Sequence, residues 1–158
     1  MTEVKEQVDV GEANALDEEL EPEESDSPVA TATAPVEAAV GAGGAHGGLL
    51  VACCHIAEDR FGLRVAECDA PGAPGRWGPV HPVHAKGSYH YQHRAADISG
   101  LAQNMNRFAH WVEQHHLTQI AELIHNPNAS VKSGKPAPSS FWGAQTWAAH
   151  ANHVHLAI

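Results

Sequence analysis

Cysteine, aromatic residues and long apolar runs are all scarce in this chain of 158 residues. Its three cysteines, Cys53, Cys54 and Cys68, are an odd set without a CxxC pair, which excludes a disulfide framework and a cysteine-based structural metal site. They read as small core residues, with a Cys54–Cys68 bridge left open. No apolar stretch approaches the roughly 20 residues of a spanning helix, and the acidic N-terminus lacks the positive start of a secretory signal. Neither membrane insertion nor a signal peptide is therefore expected. Lys and Arg form no stripe that would neutralise phosphates, so nucleic acid is not an expected partner.

Charge of one sign is concentrated in one place. Residues 1–40 hold twelve of the 19 acidic side chains, one basic residue (Lys5) and no aromatic residue, and the rest of the chain is close to neutral. Such a segment buries too little apolar surface to offset the entropy of ordering it. With the glycines that follow, residues 1–44 read as a disordered acidic tail and linker, leaving 45–158 as one domain.

Within that domain the apolar pattern alternates between helix and strand, which marks an α+β chain. Leu50, Cys53, Cys54, Ala57 and Phe61 recur at helical spacing ahead of Gly62, and Leu63 to Cys68 alternates as a strand does. Residues 69–87, with four prolines and four glycines, read as a long irregular loop. Ser99 is placed to cap a helix whose buried stripe is Leu101, Met105, Phe108, Ala109 and Val112. Leu117 to Ile124 reads as a strand, Asn126 to Ser140 as a second irregular loop, and His153 to Ile158 as a closing strand.

What the chain has in plenty is histidine, at 13 residues. In the last strand His153 and His155 share one face while Val154, Leu156 and Ile158 share the other, so the apolar face anchors the strand and two imidazoles point together. His90 and Asp97, seven residues apart, suit a segment folding back so that an imidazole and a carboxylate converge. Those two with one histidine of the last strand make the three-ligand N/O set of a catalytic zinc site, with a fourth position open. A histidine-rich metal buffer would instead scatter its histidines through polar low-complexity sequence. His110, His115 and His116 read as surface and helix-end residues.

The stretch Ser88-Tyr-His90-Tyr-Gln-His93-Arg-Ala95-Ala-Asp97 resembles the SxHxxGxAxD motif of the D-Ala-D-Ala metallopeptidases. His153-Val-His155 resembles the HxH motif of the wider group that also contains lysostaphin and the hedgehog signalling domain. The likeness spans residues 45–158, and Gly62-Leu-Arg-Val65 and Gly87-Ser-Tyr-His-Tyr91 look most like phage and actinobacterial peptidoglycan peptidases. The resemblance implies a small antiparallel sheet with flanking helices and long loops. It implies one Zn2+ held by His90, Asp97 and His155, with His153 acting beside the metal and His150 matching a further histidine of murein endopeptidases. Ser88 is implied to lie near the site, and the aromatic Trp147 is a candidate for the substrate groove.

Two departures from the pattern stand out. His93 occupies the glycine position of the motif, where it would either crowd the turn or add an imidazole. Asn152 occupies the place of a carboxylate, and an amide cannot accept the proton. Glu122 is the sole acidic residue after the helix, with no place assigned from sequence. The expected activity is zinc-dependent amide hydrolysis in peptidoglycan stem or cross-bridge peptides by a monomer, at the bacterial cell wall, as a phage lysin or virion component. A catalytically silent, zinc-stabilised binding module of the same fold is the alternative.

Overall fold

Leu50, Cys53, Cys54 and Ala57 form the buried stripe of the first helix, α1 (Ala45–Phe61). The computed structural model describes residues 45–158, so the tail and linker expected over 1–44 lie outside the described residues. Gly62, at φ +60°, donates to the Glu58 carbonyl while Leu63 donates to that of Ala57, the paired bonds that close a helix through a left-handed residue. The chain then enters β1 (Arg64–Glu67).

Among the described residues there are three α-helices and one antiparallel six-stranded sheet. The remaining elements are β2 (Ala95–Ser99), α2 (Ala102–His116), β3 (Glu122–His125), β4 (Ala129–Lys132), β5 (Lys135–Pro136), α3 (Gly143–Ala149) and β6 (Val154–Ala157). Strand order is β1-β2-β6-β3-β4-β5, so the C-terminal HxH strand sits inside the sheet between β2 and β3. In the register Ala96 faces Leu156 and Ile98 faces Val154, while Leu123 pairs with Leu156 from the other side. These residues and Val65 and Val131 bury one face of the sheet against Met105, Phe108, Ala109 and Val112 of α2 and the stripe of α1. The alternate positions, Asp97 opposite His155, turn to the other face.

Four expectations are corrected. Ser99 is the last residue of β2, paired with Arg64, and caps nothing; Leu101 stands at the helix start without a side-chain cap and is exposed instead of lying in the stripe. Leu117–Gln119 tightens into a 3-10 turn that prolongs α2, so the strand expected from Leu117 begins at Glu122. The loop expected over 126–140 contains the β4–β5 hairpin, whose turn residues Ser133 and Gly134 both have positive φ, as a tight hairpin requires. The cysteines, by contrast, are buried and free, as their reading as small core residues expects.

The long loop after β1 is irregular, as read from its prolines and glycines. It folds back over the outer edge of β1, where the Cys68 amide donates to the Gly78 carbonyl at 3.1 Å. A Cβ on Gly78 would stand 2.2 Å from the Ala66 carbonyl oxygen, so the close approach needs glycine.

Candidate metal centre

Three donor atoms meet on the face of the sheet opposite the helices. His90 Nε2 lies 3.2 Å from Asp97 Oδ1 and 3.2 Å from His155 Nδ1, and His155 Nδ1 lies 3.1 Å from Asp97 Oδ1. Donors on one tetrahedral ion with bonds of about 2.0–2.1 Å stand about 3.3–3.4 Å apart. The triangle therefore has the dimensions that a single small ion would impose, and its chemistry, two imidazoles and a carboxylate, suits a borderline-soft divalent metal.

Local structure explains the convergence. Asp97 and His155 are direct partners in the β2–β6 register, so their side chains leave the sheet side by side. His90 reaches them from a 3-10 turn, Tyr89–Gln92, held at its start by Ser88, whose Oγ accepts from the His90 amide at 3.3 Å. At its end His93 adopts φ 58°, the left-handed conformation that a motif glycine provides without strain. The His93 ring neither crowds the turn nor joins the site; it is exposed and pairs with Asp69 at 2.9 Å. His93→Gly should therefore change stability by less than about 1 kcal/mol, because the backbone strain it relieves is set against the half-buried Asp69 carboxylate that loses its partner. Thermal melts of the two proteins check this.

Each imidazole has a carboxylate behind it. His155 Nε2 lies 3.4 Å from Glu122 Oε2, and Glu122 is in turn paired with Lys132. This places the acidic residue left unassigned by sequence: its carboxylate stands at the ring nitrogen of His155 remote from Asp97. His90 Nδ1, fully buried and without a hydrogen-bond partner, has Glu67 Oε2 at 3.7 Å. Carboxylates at these nitrogens favour a ring proton on that side, as they do behind metal-ligating histidines, although the His90 Nδ1 contact is longer than a hydrogen bond. Here they leave Nε2 of His90 and Nδ1 of His155 facing Asp97.

Glu67 arrives there through a bulge. Val65 pairs with Ile98, but Glu67 pairs with Asp97, so one extra residue in β1 turns the carboxylate onto the face of the site. It also accepts from the His81 amide at 3.0 Å and holds His84 Nε2 at 2.7 Å, while the His84 ring stacks on His90 with centroids 4.0 Å apart. Glu67, His84, His90 and Asp97 together form a buried to half-buried cluster of donors able to hold a metal ion. Glu67 and His84 escaped the sequence reading because a strand bulge and a Pro-Gly loop bring them in, and neither leaves a spacing signature.

The electrostatics follow from these contacts. Burial works against the ionised Asp97 carboxyl, but hydrogen bonds from His155 and His90 outweigh it and hold the group well below the usual carboxylate range. Burial likewise opposes a charged His155, and the bonds to Asp97 and Glu122 reverse the balance, raising it to about 9. His153 goes the other way: burial lowers it, with the His155 and His90 charges adding to that and Asp97 opposing. Its Nδ1 donates to Asn152 Oδ1 at 2.9 Å, so Nε2 carries the free lone pair, 3.8 Å from Asp97 Oδ1. Asn152, an anomaly as a base, thus serves as the acceptor that sets the tautomer of its neighbour. His150, lowered to about 4 chiefly by burial, donates from Nδ1 to the Thr146 carbonyl, its ring 4.7 Å from that of His153.

A pocket of about 270 Å³ opens beside Asp97, Glu67 and His153, with Arg64, Ser99 and Asn152 in its wall. Trp147 is not part of it. That side chain lines a separate pocket of about 490 Å³ with Glu113, Asn128 and Ser139, because α3 turns it toward β4 and α2 one turn before His150. Ser88 likewise acts on the His90 backbone and is absent from the wall of the smaller pocket. Comparison of the chain with protein-family models, curated proteins and solved structures finds no match.

Proposed function

We propose that the chain is a zinc-dependent peptidase in which His90, Asp97 and His155 hold the metal and His153 handles the proton. The observation that carries this reading is the triangle of donors 3.1–3.2 Å apart, backed by Glu67 and Glu122 and open toward a pocket. Zinc bound there would supply Lewis acidity, polarising a carbonyl and acidifying water. The chain's own residues do the rest. Neutral His153 offers Nε2 on the open side as proton acceptor, steadied at Nδ1 by Asn152. The wall of Arg64, Ser99 and Asn152 offers hydrogen-bond donors to a peptide laid across β1 and β2.

The substrate class, peptidoglycan stem or cross-bridge peptides, is supported by the likeness of the two motifs to those of the D-Ala-D-Ala metallopeptidases and murein endopeptidases. An antiparallel sheet with the donor cluster on the face away from α1 and α2 is compatible with the hedgehog-like zinc fold that this likeness implies. The place of action is then the bacterial wall, reached as a phage lysin or virion component. One observation favours a second reading. Glu67 and His84 form with His90 and Asp97, and without His155, a set of four donors, and a closed four-ligand set is the mark of a structural zinc in a binding module.

Digestion of purified peptidoglycan separates the two. A peptidase releases new amino termini, stops with a chelator and resumes with one equivalent of zinc. A protein that binds one zinc per chain, binds the wall and releases nothing is the module.

A further inference from the structure

The geometry points to His125 as the positioning residue that sets both histidines of the proposed catalytic turn, an inference that rests on the peptidase reading for its kinetic consequence. His125 closes β3 on the helix side of the sheet and is 1% exposed, yet it is absent from the donor cluster. Its Nδ1 lies 2.9 Å from the His153 carbonyl oxygen and 3.2 Å from that of His150. Carbonyls only accept, so Nδ1 carries the proton and divides it between the two backbones. The His150 carbonyl receives a second bond, from the Asn126 amide at 3.0 Å. On the other side of the ring Nε2 lies 2.8 Å from Asn106 Oδ1 on α2, so with Nδ1 protonated this contact is a hydrogen bond only where the ring carries a second proton or the Asn106 amide is turned to present Nδ2.

The turn needs such a hold. Between the end of α3 at Ala149 and the start of β6 at Val154 the backbone has no regular partner strand, and Ala151 and Asn152 are exposed. The His150 ring is tied to α3 through the Thr146 carbonyl and that of His153 to Asn152, but what the two residues share is one buried imidazole that grips both backbone carbonyls. A plain core histidine would satisfy its nitrogens wherever they fell. This one satisfies a single N–H on the two residues whose rings flank the metal triangle.

Two substitutions distinguish a positioning role from packing. In His125→Asn the side-chain amide stands at the level of Nδ1 and keeps a donor toward the two carbonyls, while the link to Asn106 is lost. In His125→Gln the amide stands at the level of Nε2 and keeps that link, while the grip on the turn is lost. With zinc bound, H125Q should lose about tenfold to a hundredfold in kcat with KM unchanged, and H125N should stay within about threefold of the parent. The ring nitrogen NMR signals of His150 and His153 should broaden or shift in H125Q and hold their positions in H125N. Equal loss in the two variants, unmoved ring signals in H125Q, or unfolding of both would make His125 a packing residue and overturn the inference. The ring signals report the turn whether or not a peptide is cut, so absence of activity in the parent protein would sink the proposed peptidase while this measurement still decided the role of His125.

Discussion

Replacing His155 with Ala should abolish metal binding and peptidase activity together, with zinc affinity falling by well over a hundredfold, and Ala at His90 or Asp97 should do the same. Loss of a residue behind a ligand costs 10–100-fold, and loss of the ligand itself costs more. The three donors are mutual neighbours at 3.1–3.2 Å, so removing one leaves two that cannot enclose an ion. Metal content by elemental analysis and hydrolysis rates measure the effect, and a variant that keeps one tightly held zinc would redirect attention to Glu67 and His84. A pH dependence accompanies the loss. In the metal-free protein His155 is raised to about 9, so a proton competes for Nδ1 throughout the neutral range. Zinc affinity should therefore climb by about tenfold per pH unit toward pH 9, with about one proton released per ion bound near neutrality. For the metal-free fold the sign is opposite. The raised His155 contributes stability fully below its ordinary value of 6.5 and loses it as pH rises through 9. The depressed Asp97 contributes above its ordinary value of 3.8 and loses that share in strong acid. The stability gained from adding zinc should accordingly be larger at pH 8 than at pH 6.

Much of this arrangement is legible in the sequence where it depends on period. The two-residue alternation of β6 puts His153 and His155 on one face and seats the apolar residues in the core, and the stripe of α2 from Met105 to Val112 is buried as its spacing predicts. What escapes the sequence depends on geometry that leaves no period. A bulge in β1 re-aims Glu67, a Pro-Gly loop delivers His84, and His125 acts through backbone carbonyls whose direction no residue type reveals. The same limit explains the departures from the motif. His93 looked like an obstruction because glycine there signals a left-handed backbone, and histidine takes that backbone while its ring turns outward.

Replacing His153 with Ala should leave zinc bound and slow hydrolysis by about a hundredfold to ten-thousandfold, the range of a single positioned acid or base. The ring sits at the rim of the triangle, with Nε2 3.8 Å from Asp97 Oδ1, beyond the 3.1–3.2 Å spacing of the three donors. Burial and the neighbouring imidazoles keep it neutral, so the lone pair on Nε2 is available at working pH. Which nitrogen carries that lone pair depends on the tautomer, and the tautomer depends on Asn152, whose Oδ1 accepts from Nδ1. Asn152→Asp should preserve this acceptor and add a charge that favours the protonated ring, moving the acidic limb of the kcat profile upward in pH. Asn152→Ala should free the ring to turn and lower kcat without that movement. Metal analysis of each variant, together with its pH–rate profile, distinguishes a proton-handling His153 from a ligand. Loss of zinc from His153→Ala as complete as that from His155→Ala would assign it to the metal instead, and the proton would then fall to His150, whose neutral ring lies 4.7 Å away.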